Sequence, residues 1–313
     1  MGALEPQDPR DLFERYRSER REAAIPGYDL HVLPHLTRYV SVTPGGEGMV
    51  MFARLPDEDA LRLIHEQVAF FEARGEPFEW KIYDFDAPRE LRSLLEGEGF
   101  APRHLEAFMV RRAEPMRSPR IDGVEVMRAT RENEVVADVA RLQEQVWNCP
   151  MRWLEPQLRS ALSRDPVETA IYCAYAGDRP VGTGWIDFTR GSSFADLHGG
   201  AVIEGARGRG IYTLLYEARV AAALERGAPF LAVDAAPMSR PILERKGFRA
   251  ICDTYPMRRV DGRGQPLDFA SGWRGEEVGK SGVRLEFAGP KIGQKREFEP
   301  DPKLSHYSPT LAG

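Results

Sequence analysis

The chain has 313 residues, 42% of them hydrophobic and 29% charged, with a formal net charge of −5 and a pI near 5.8. That length is comfortable for two domains, and an acidic chain does not read as a general nucleic-acid binder, which would carry a basic face. No run approaches the roughly 18 apolar residues that span a membrane.

The start, MGALEPQDPRDLFERYRSERRE, has no apolar stretch and no myristoylation pattern. The three cysteines, Cys149, Cys173 and Cys252, are scattered and read as reduced thiols of a cytoplasmic protein. Residues 9–24 are polar and helix-prone, with Arg17, Arg20 and Arg21 as a solvated face. Strand-like runs follow at Tyr28–Leu33, Arg38–Thr43 and Met49–Leu55, with a turn at Pro44 to Gly48. Leu61, Ile64, Val68 and Phe71 recur at helical spacing, which predicts a helix over Asp57–Arg74 capped by Asp57. A strand (Pro77–Tyr83), a helix (Pro88–Glu96), the pair Gly99-Phe100 and a strand (His104–Val110) close the first half. The stretch Arg111–Gly123 has two prolines and many charges and marks a boundary.

The second half opens with a strand (Val124–Arg128) and a helix over 131–147 that Thr130 can cap. Leu154, Leu158 and Leu162 mark a further helix, and Ala170–Ala176 with Pro180–Phe188 forms a hairpin. A strand over 195–204, a helix over 210–226, a strand (Phe230–Asp234), a helix over 239–246, Gly247-Phe248 and a strand (Arg249–Arg258) follow. The rest is rich in Gly, Pro and charge, and only Gly282–Phe287 is strand-like.

The halves resemble each other. ARGEPF leads through a strand to Asp86 and then LLEGEGF; ERGAPF leads through a strand to Asp234 and then ILERKGF. Asp86 and Asp234 each lie thirteen residues before the Gly of Gly99-Phe100 or Gly247-Phe248. Two copies of one α/β unit are therefore expected, and Asp234, repeated by Asp86, is expected to be structural.

Between the strand ending near Glu204 and the helix beginning near Gly210 lie Gly205, Gly208 and Gly210, with Arg207 and Arg209 among them. A helix start leaves backbone N–H groups unpaired and carries partial positive charge. Glycines let those groups converge on a phosphate. The nucleotide P-loop would need Lys-Ser/Thr after the second glycine, where Ile211-Tyr212 stands. The dinucleotide fingerprint would need a third glycine where Thr213 stands, in an early strand–helix unit.

Arg207-Gly208-Arg209-Gly210-Ile211 resembles the pyrophosphate loop Arg/Gln-x-x-Gly-x-Gly/Ala of the GNAT acetyltransferases. The element order over residues 124–259 is similar to that family, and MSRPILERKGF looks like its helix ending in Gly-Phe. The resemblance implies an α/β (α+β) fold of two GNAT-like units, each a mixed, mostly antiparallel sheet flanked by helices. Residues 1–112 would be a degenerate copy without the loop, 113–123 a linker, 124–259 the acetyltransferase domain and 260–313 an extension. It implies an acyl-CoA-dependent N-acyltransferase that takes acetyl-CoA as donor, without a metal, and a small-molecule amine as acceptor. One coenzyme per chain is expected, in a monomer or homodimer that engages neither nucleic acid nor membrane. Arg207, Gly208, Arg209, Gly210, Ile211, Tyr212 and Thr213 would hold the coenzyme phosphates, and the backbone at Gly200 and Val202 its pantetheine arm.

The sequence departs from the family at two positions. Tyr212 stands where Gly or Ala is usual, so its ring must point away from the phosphate, and Leu243 stands where many members carry a thiolate-protonating tyrosine. Three residues are candidates for the base that an attacking amine needs. Asp196 lies eleven residues before Arg207, at the strand position of the glutamate in histone-acetylating members. His198 shares its strand face and could relay a proton with it, and Glu204 sits beside the loop. Gly199-Gly200 permits either a bulge or a plain bend. Trp147, Met151 and Trp153 fall in a turn that lines the acceptor pocket of GNAT folds, where they either touch substrate or pack the core. A catalytically silent acyl-CoA binder and a nucleotide-binding enzyme are the competing functions.

Overall fold

The computed structural model describes residues 8–25, 27–42, 46–103, 105–116, 120–164 and 167–260. The expected strand Gly282–Phe287, the extension beyond residue 260, and parts of the expected turn at Pro44 and of the expected linker lie outside the described residues.

In chain order the first half comprises helix α1 (Pro9–Arg20), strands β1 (Tyr28–Val32), β2 (Thr37–Ser41) and β3 (Gly48–Met51), helix α2 (Ala60–Arg74), β4 (Phe78–Tyr83), α3 (Leu91–Gly97), β5 (Phe100–Pro102) and β6 (Glu106–Arg112). The second comprises β7 (Val124–Arg128), α4 (Val135–Trp147), α5 (Leu154–Ser163), β8 (Thr169–Ala176), β9 (Arg179–Phe188), β10 (Phe194–Val202), α6 (Ile211–Glu225), β11 (Phe230–Ala235), α7 (Arg240–Arg245) and β12 (Arg249–Arg259). Asp57 opens a short 3₁₀ turn ahead of α2 and makes no capping bond. Gly75, at φ 64°, ends α2 in the left-handed conformation that favours glycine.

The mixed, mostly antiparallel sheet flanked by helices is present, and all the strands share it in the order β1-β2-β3-β4-β12-β6-β11-β10-β9-β8-β7, with β5 beside β12. Each half has one parallel pair, β3 with β4 and β10 with β11. The last strands are exchanged. β12 pairs with β4 through Thr254–Arg258, and β6 pairs with β11 along Ala107–Arg112. Each half thus completes the sheet of the other, and the two exchanged strands pair at the centre.

Alternation sorts the β8 side chains between layers. Ala170, Tyr172 and Ala174 pack with α6, whereas Ile171 and Cys173 pack with α4 and α5 on the opposite face. Helix α1 crosses the central seam. Its Leu12, Phe13 and Tyr16 bury against Phe52, Tyr83, Phe108, Phe194 and Phe230, which come from both halves. Full burial of side chains this size contributes about 1.5–3 kcal/mol each, so α1 pins the exchange. Arg20, at the end of α1, is 8% exposed and ion-paired to Asp196 on β10. It is therefore not on the solvated face expected for this helix, because its Tyr16 side packs on the sheet.

The exchange has a testable consequence. Residues 1–116 and 120–313, each expressed alone, leave β4 or β11 without its antiparallel neighbour. Each fragment is expected to lack near-UV circular dichroism and to bind a hydrophobic dye, whereas co-expression yields a stable complex. A cooperatively folded monomer from either fragment would contradict the exchange.

Candidate functional site

Strand β10 pairs with β11 only through Phe194–Asp196 against Phe230–Ala232. Beyond Asp196 the strands part. β10 continues through Leu197–Val202 paired to β9 alone, and β11 continues through Val233–Ala235 paired to β6 alone. The gap opens into a cavity of about 1000 Å³ lined by Leu197–Gly200 on one side and Val233–Ala235 on the other.

The β10 edge is bent where the strands part. Its register with β9 shifts between His198 and Ala201, and Gly199 has a φ of 57°. A Cβ there would meet the Trp185 ring at 1.7 Å. The Gly199 carbonyl accepts from Gln143 Nε2 (2.7 Å) and Thr183 Oγ1 (2.9 Å), which holds the bulge.

The phosphate-loop residues lie at the start of α6. A 3₁₀ turn over Glu204–Ala206 follows β10, and Gly208 and Gly210 have φ values of 75° and 85°. Among the described residues, the backbone N–H groups of Gly208 through Tyr212 have no backbone acceptor, while those of Thr213 and Leu214 bond the Gly210 carbonyl. Arg207 and Arg209 are exposed at the same end. Lys246, just before Gly247-Phe248, donates from Nζ to Thr213 Oγ1 at 2.9 Å. Burial and the nearby Arg111 and Arg219 lower its ammonium below the usual lysine range, although Glu217 opposes them. An anion here would meet unpaired N–H groups, the positive end of a helix and a lysine made less basic by burial and by neighbouring cations. Those residues fit a pyrophosphate.

The Tyr212 ring turns inward, away from the loop. A Cβ on Gly200 would lie 3.0 Å from it, and the Arg219 guanidinium sits 5.8 Å from its centroid. Ile211 is buried and packs over Gly182. Val202 is not among the cavity-lining residues, and its carbonyl accepts from Arg207 Nε at 3.1 Å, so of the two backbone positions expected to face the pantetheine only Gly200 lines the cavity.

Asp196 and His198 do share a strand face, but they do not pair. Asp196 is held by Arg20, with the Tyr16 hydroxyl donating to its other oxygen at 3.4 Å. His198 instead approaches Asp187 of β9, Nε2 to Oδ2 3.5 Å, with Trp185 stacked beside its ring at 6.3 Å. Burial raises the Asp187 carboxyl above its ordinary range, opposed by His198 and by a hydrogen bond from Thr169. Glu204 is exposed and does not line the cavity, because the 3₁₀ turn carries it past the end of the strand.

Asp234 lies within β11, lines the cavity and pairs with Lys81 Nζ at 2.5 Å, whereas Asp86 lies past the end of β4 and accepts the Tyr83 N–H, so the two aspartates do not occupy equivalent places. Counted from Phe78 and Phe230, Ile82 occupies the place of Asp234, so the four extra residues of the first copy displace Asp86 from it. Burial raises Asp234, offset mainly by Lys81. Burial alone would lower Lys81, but Asp234 and Glu106 hold it above the usual lysine range.

Sequence reasoning missed Asp187, Arg20, Lys81 and Lys246. Only Asp187 had a local signal, since register across the β9–β10 turn places it opposite Asp196. Trp147 and Trp153 line the cavity and are 54% and 60% exposed, which rules out core packing. Met151 packs beside the α4–α5 core.

Among the described residues no group of His, Cys, Asp or Glu is placed to hold a metal ion, and no helix is long and apolar enough to cross a membrane.

Residues 134–248 match the sequence model of the Acetyltransferase (GNAT) family. The fold is similar to a GCN5-related N-acetyltransferase from Kribbella flavida, with a TM-score of 0.62 and 11% identity over 82% of this chain and 96% of that one. A tandem GNAT protein from the clavulanic acid biosynthesis pathway has a TM-score of 0.55 and 13% identity, covering 75% of this chain and 84% of its own. A GCN5-related N-acetyltransferase from Sphaerobacter thermophilus has a TM-score of 0.54 and 16% identity over 72% and 76%. No curated protein sequence matches the chain significantly.

The bulge can be tested directly. Gly199→Ala forces a side chain into a left-handed position against Trp185 and is expected to cost about 1–3 kcal/mol. Thermal unfolding would show a midpoint lower by several degrees, and an unchanged midpoint would mean that the bulge relaxes freely.

Proposed function

We propose, from the match of residues 134–248 to the Acetyltransferase (GNAT) family, that the protein transfers acetyl from acetyl-CoA to a small-molecule amine by direct attack in a ternary complex. The parting of β10 from β11 beside the free N–H groups of α6 carries this reading. It supplies an anion site and, leading from it, a strand edge with unused hydrogen-bonding groups. Gly208 through Tyr212 would hold the pyrophosphate by backbone N–H, with Arg209 and Lys246 adding charge. The unpaired edge of β10 near Gly200 would take the pantetheine arm and donate to the carbonyl oxygen that gains charge during attack.

His198 is proposed as the proton acceptor. With Nε2 toward Asp187, the carboxylate favours the tautomer protonated there and leaves Nδ1 to take the amine proton. Asp196 is neutralised by Arg20 and is assigned the role of fixing the α1 wall of the cavity. Leu243 is buried and lines the cavity, so the position common for a thiolate acid offers no proton, and the thiolate would leave as the weak base it is.

The tandem duplication belongs to the same proposal. The first copy has no glycine-rich loop and binds no coenzyme; it supplies Tyr16, Arg20, Lys81 and Glu106 to the cavity wall. A silent acyl-CoA binder is the second reading, favoured by Leu243. The two are separated by acetyl-CoA turnover over a panel of amines, with release of free thiol as the readout. Binding of acetyl-CoA without thiol release from any amine would favour the silent binder.

Gly210→Val places a β-branched residue at φ 85°, with its Cβ 3.3 Å from Ile121. Acetyl-CoA affinity is expected to fall at least about 100-fold, the loss of some 3 kcal/mol of phosphate contacts, while circular dichroism stays native. Unchanged affinity would remove the phosphate loop from the proposal. His198→Gln and Asp187→Asn are expected to lower kcat by about 10²–10⁴ and 10-fold or more respectively, with acetyl-CoA affinity intact. Wild-type kcat in His198→Gln would exclude it as the base.

A further inference from the structure

The cavity walls are selective in charge. Four permanent cations and six carboxylates line the cavity. Arg20 is paired to Asp196, Lys81 to Asp234 (2.5 Å) and Glu106 (3.3 Å), and Arg103 to Glu79 (3.3 Å). Arg219 is fully buried and donates to the carbonyls of Leu215 and His198. Three of the four lining cations are thus paired with carboxylates. Arg219, which among the described residues has no carboxylate partner and one unpartnered terminal nitrogen, is only 1% exposed, so a carboxylate or phosphate on an acceptor would have to break a pair or displace the groups that cover Arg219.

The balance of the lining charge is negative. Asp187 has His198 and the Thr169 hydroxyl as its direct partners, with the Arg20 guanidinium acting on it from farther away, and Glu168 makes no ion pair among the described residues. Both line the cavity, Glu168 from just before β8 and Asp187 from β9. With His198 neutral, six carboxylates against four cations leave a formal charge of −2 in the cavity. A concave, mostly protein-walled space concentrates that field.

Aromatic faces add to the same preference. Trp147 and Trp153 line the cavity from the α4–α5 turn while remaining more than half exposed, and Trp147 is fixed by donating Nε1 to Gln143 Oε1 at 2.9 Å. Indole rings at a mouth of this kind attract ammonium groups through their quadrupole, and cost little to leave exposed beside water.

We propose that the acceptor is a dication without a carboxylate or phosphate, a linear diamine or longer polyamine. One nitrogen lies at His198 and loses its proton before attack; the other stays charged against Glu168 and the indole rims. This rests on the acyl-transfer reading, and the test separates the two.

Three four-carbon probes isolate the charge: 1,4-diaminobutane, butylamine and 4-aminobutanoate. Each is titrated into the full chain with coenzyme A present, following tryptophan fluorescence, and each is assayed for thiol release from acetyl-CoA. The diamine is expected to bind and react with a KM at least ~10-fold below that of butylamine, with 4-aminobutanoate weakest, and the advantage should shrink at high salt. Glu168→Gln should cut the advantage over butylamine to under ~3-fold and leave butylamine itself unchanged, because only the second charge uses Glu168. Equal or tighter binding of 4-aminobutanoate, or an advantage undiminished in Glu168→Gln, overturns the proposal. Tight diamine binding with no thiol release upholds the charge selectivity and sinks the N-acyltransferase reading instead. Turnover of 4-aminobutanoate in preference to the diamine does the reverse.

Discussion

A β-strand that loses its neighbour inside a protein must find other partners for its backbone, and β10 loses β11 after three paired residues. Most of the site follows from that constraint. The strands diverge because β11 turns to pair with β6 while β10 bulges at Gly199 to stay with β9. The bulge survives because Gln143 and Thr183 both bond the Gly199 carbonyl, and because glycine is the residue that tolerates both the left-handed φ and the Trp185 ring. The gap leads directly to the first turn of α6, so an unpaired strand edge and an unpaired helix end lie along one path.

The strand exchange determines what faces that path. Because β6 and β12 change places between the halves, residues 16–20 and 81–106 of the first half reach the same cavity as residues 187–200 of the second. The loop-less copy thereby becomes a wall of the site. Helix α1 closes the seam with aromatic packing, and its last residue carries a guanidinium to Asp196. Removing one partner of such a buried pair typically costs about 3–5 kcal/mol, so the charge at Asp196 is tied to the join between the halves.

The same charges set the division of labour among the acids. Asp196 and Asp234 are each ion-paired to a cation of the first half, and Asp187 is paired to an imidazole, with a hydrogen bond from Thr169 and Arg20 acting from farther away. Three carboxylates that look alike in sequence therefore differ in their freedom to assist a proton transfer, and the difference comes from the opposite strand or helix in each case.

The amino-acid sequence by itself determined the local features: the period of the helices, the hairpin, the glycine-rich start of α6 and the paired glycines of β10. These depend on neighbours along the chain, since a helix start or a left-handed glycine needs nothing distant. It also placed Asp196 and His198 on one strand face, because side-chain alternation is local. Their partners were decided only by the tertiary structure. Arg20 lies 176 residues from Asp196 along the chain. Lys81 lies in the other half from Asp234, and a boundary at residues 113–123 gives no hint that β6 and β12 cross it in opposite directions. Long-range pairing is set by which edge each strand completes and which apolar face each helix covers. The chain therefore fixed where a phosphate could be held, and the packing of its two halves fixed which groups surround the atom beyond it.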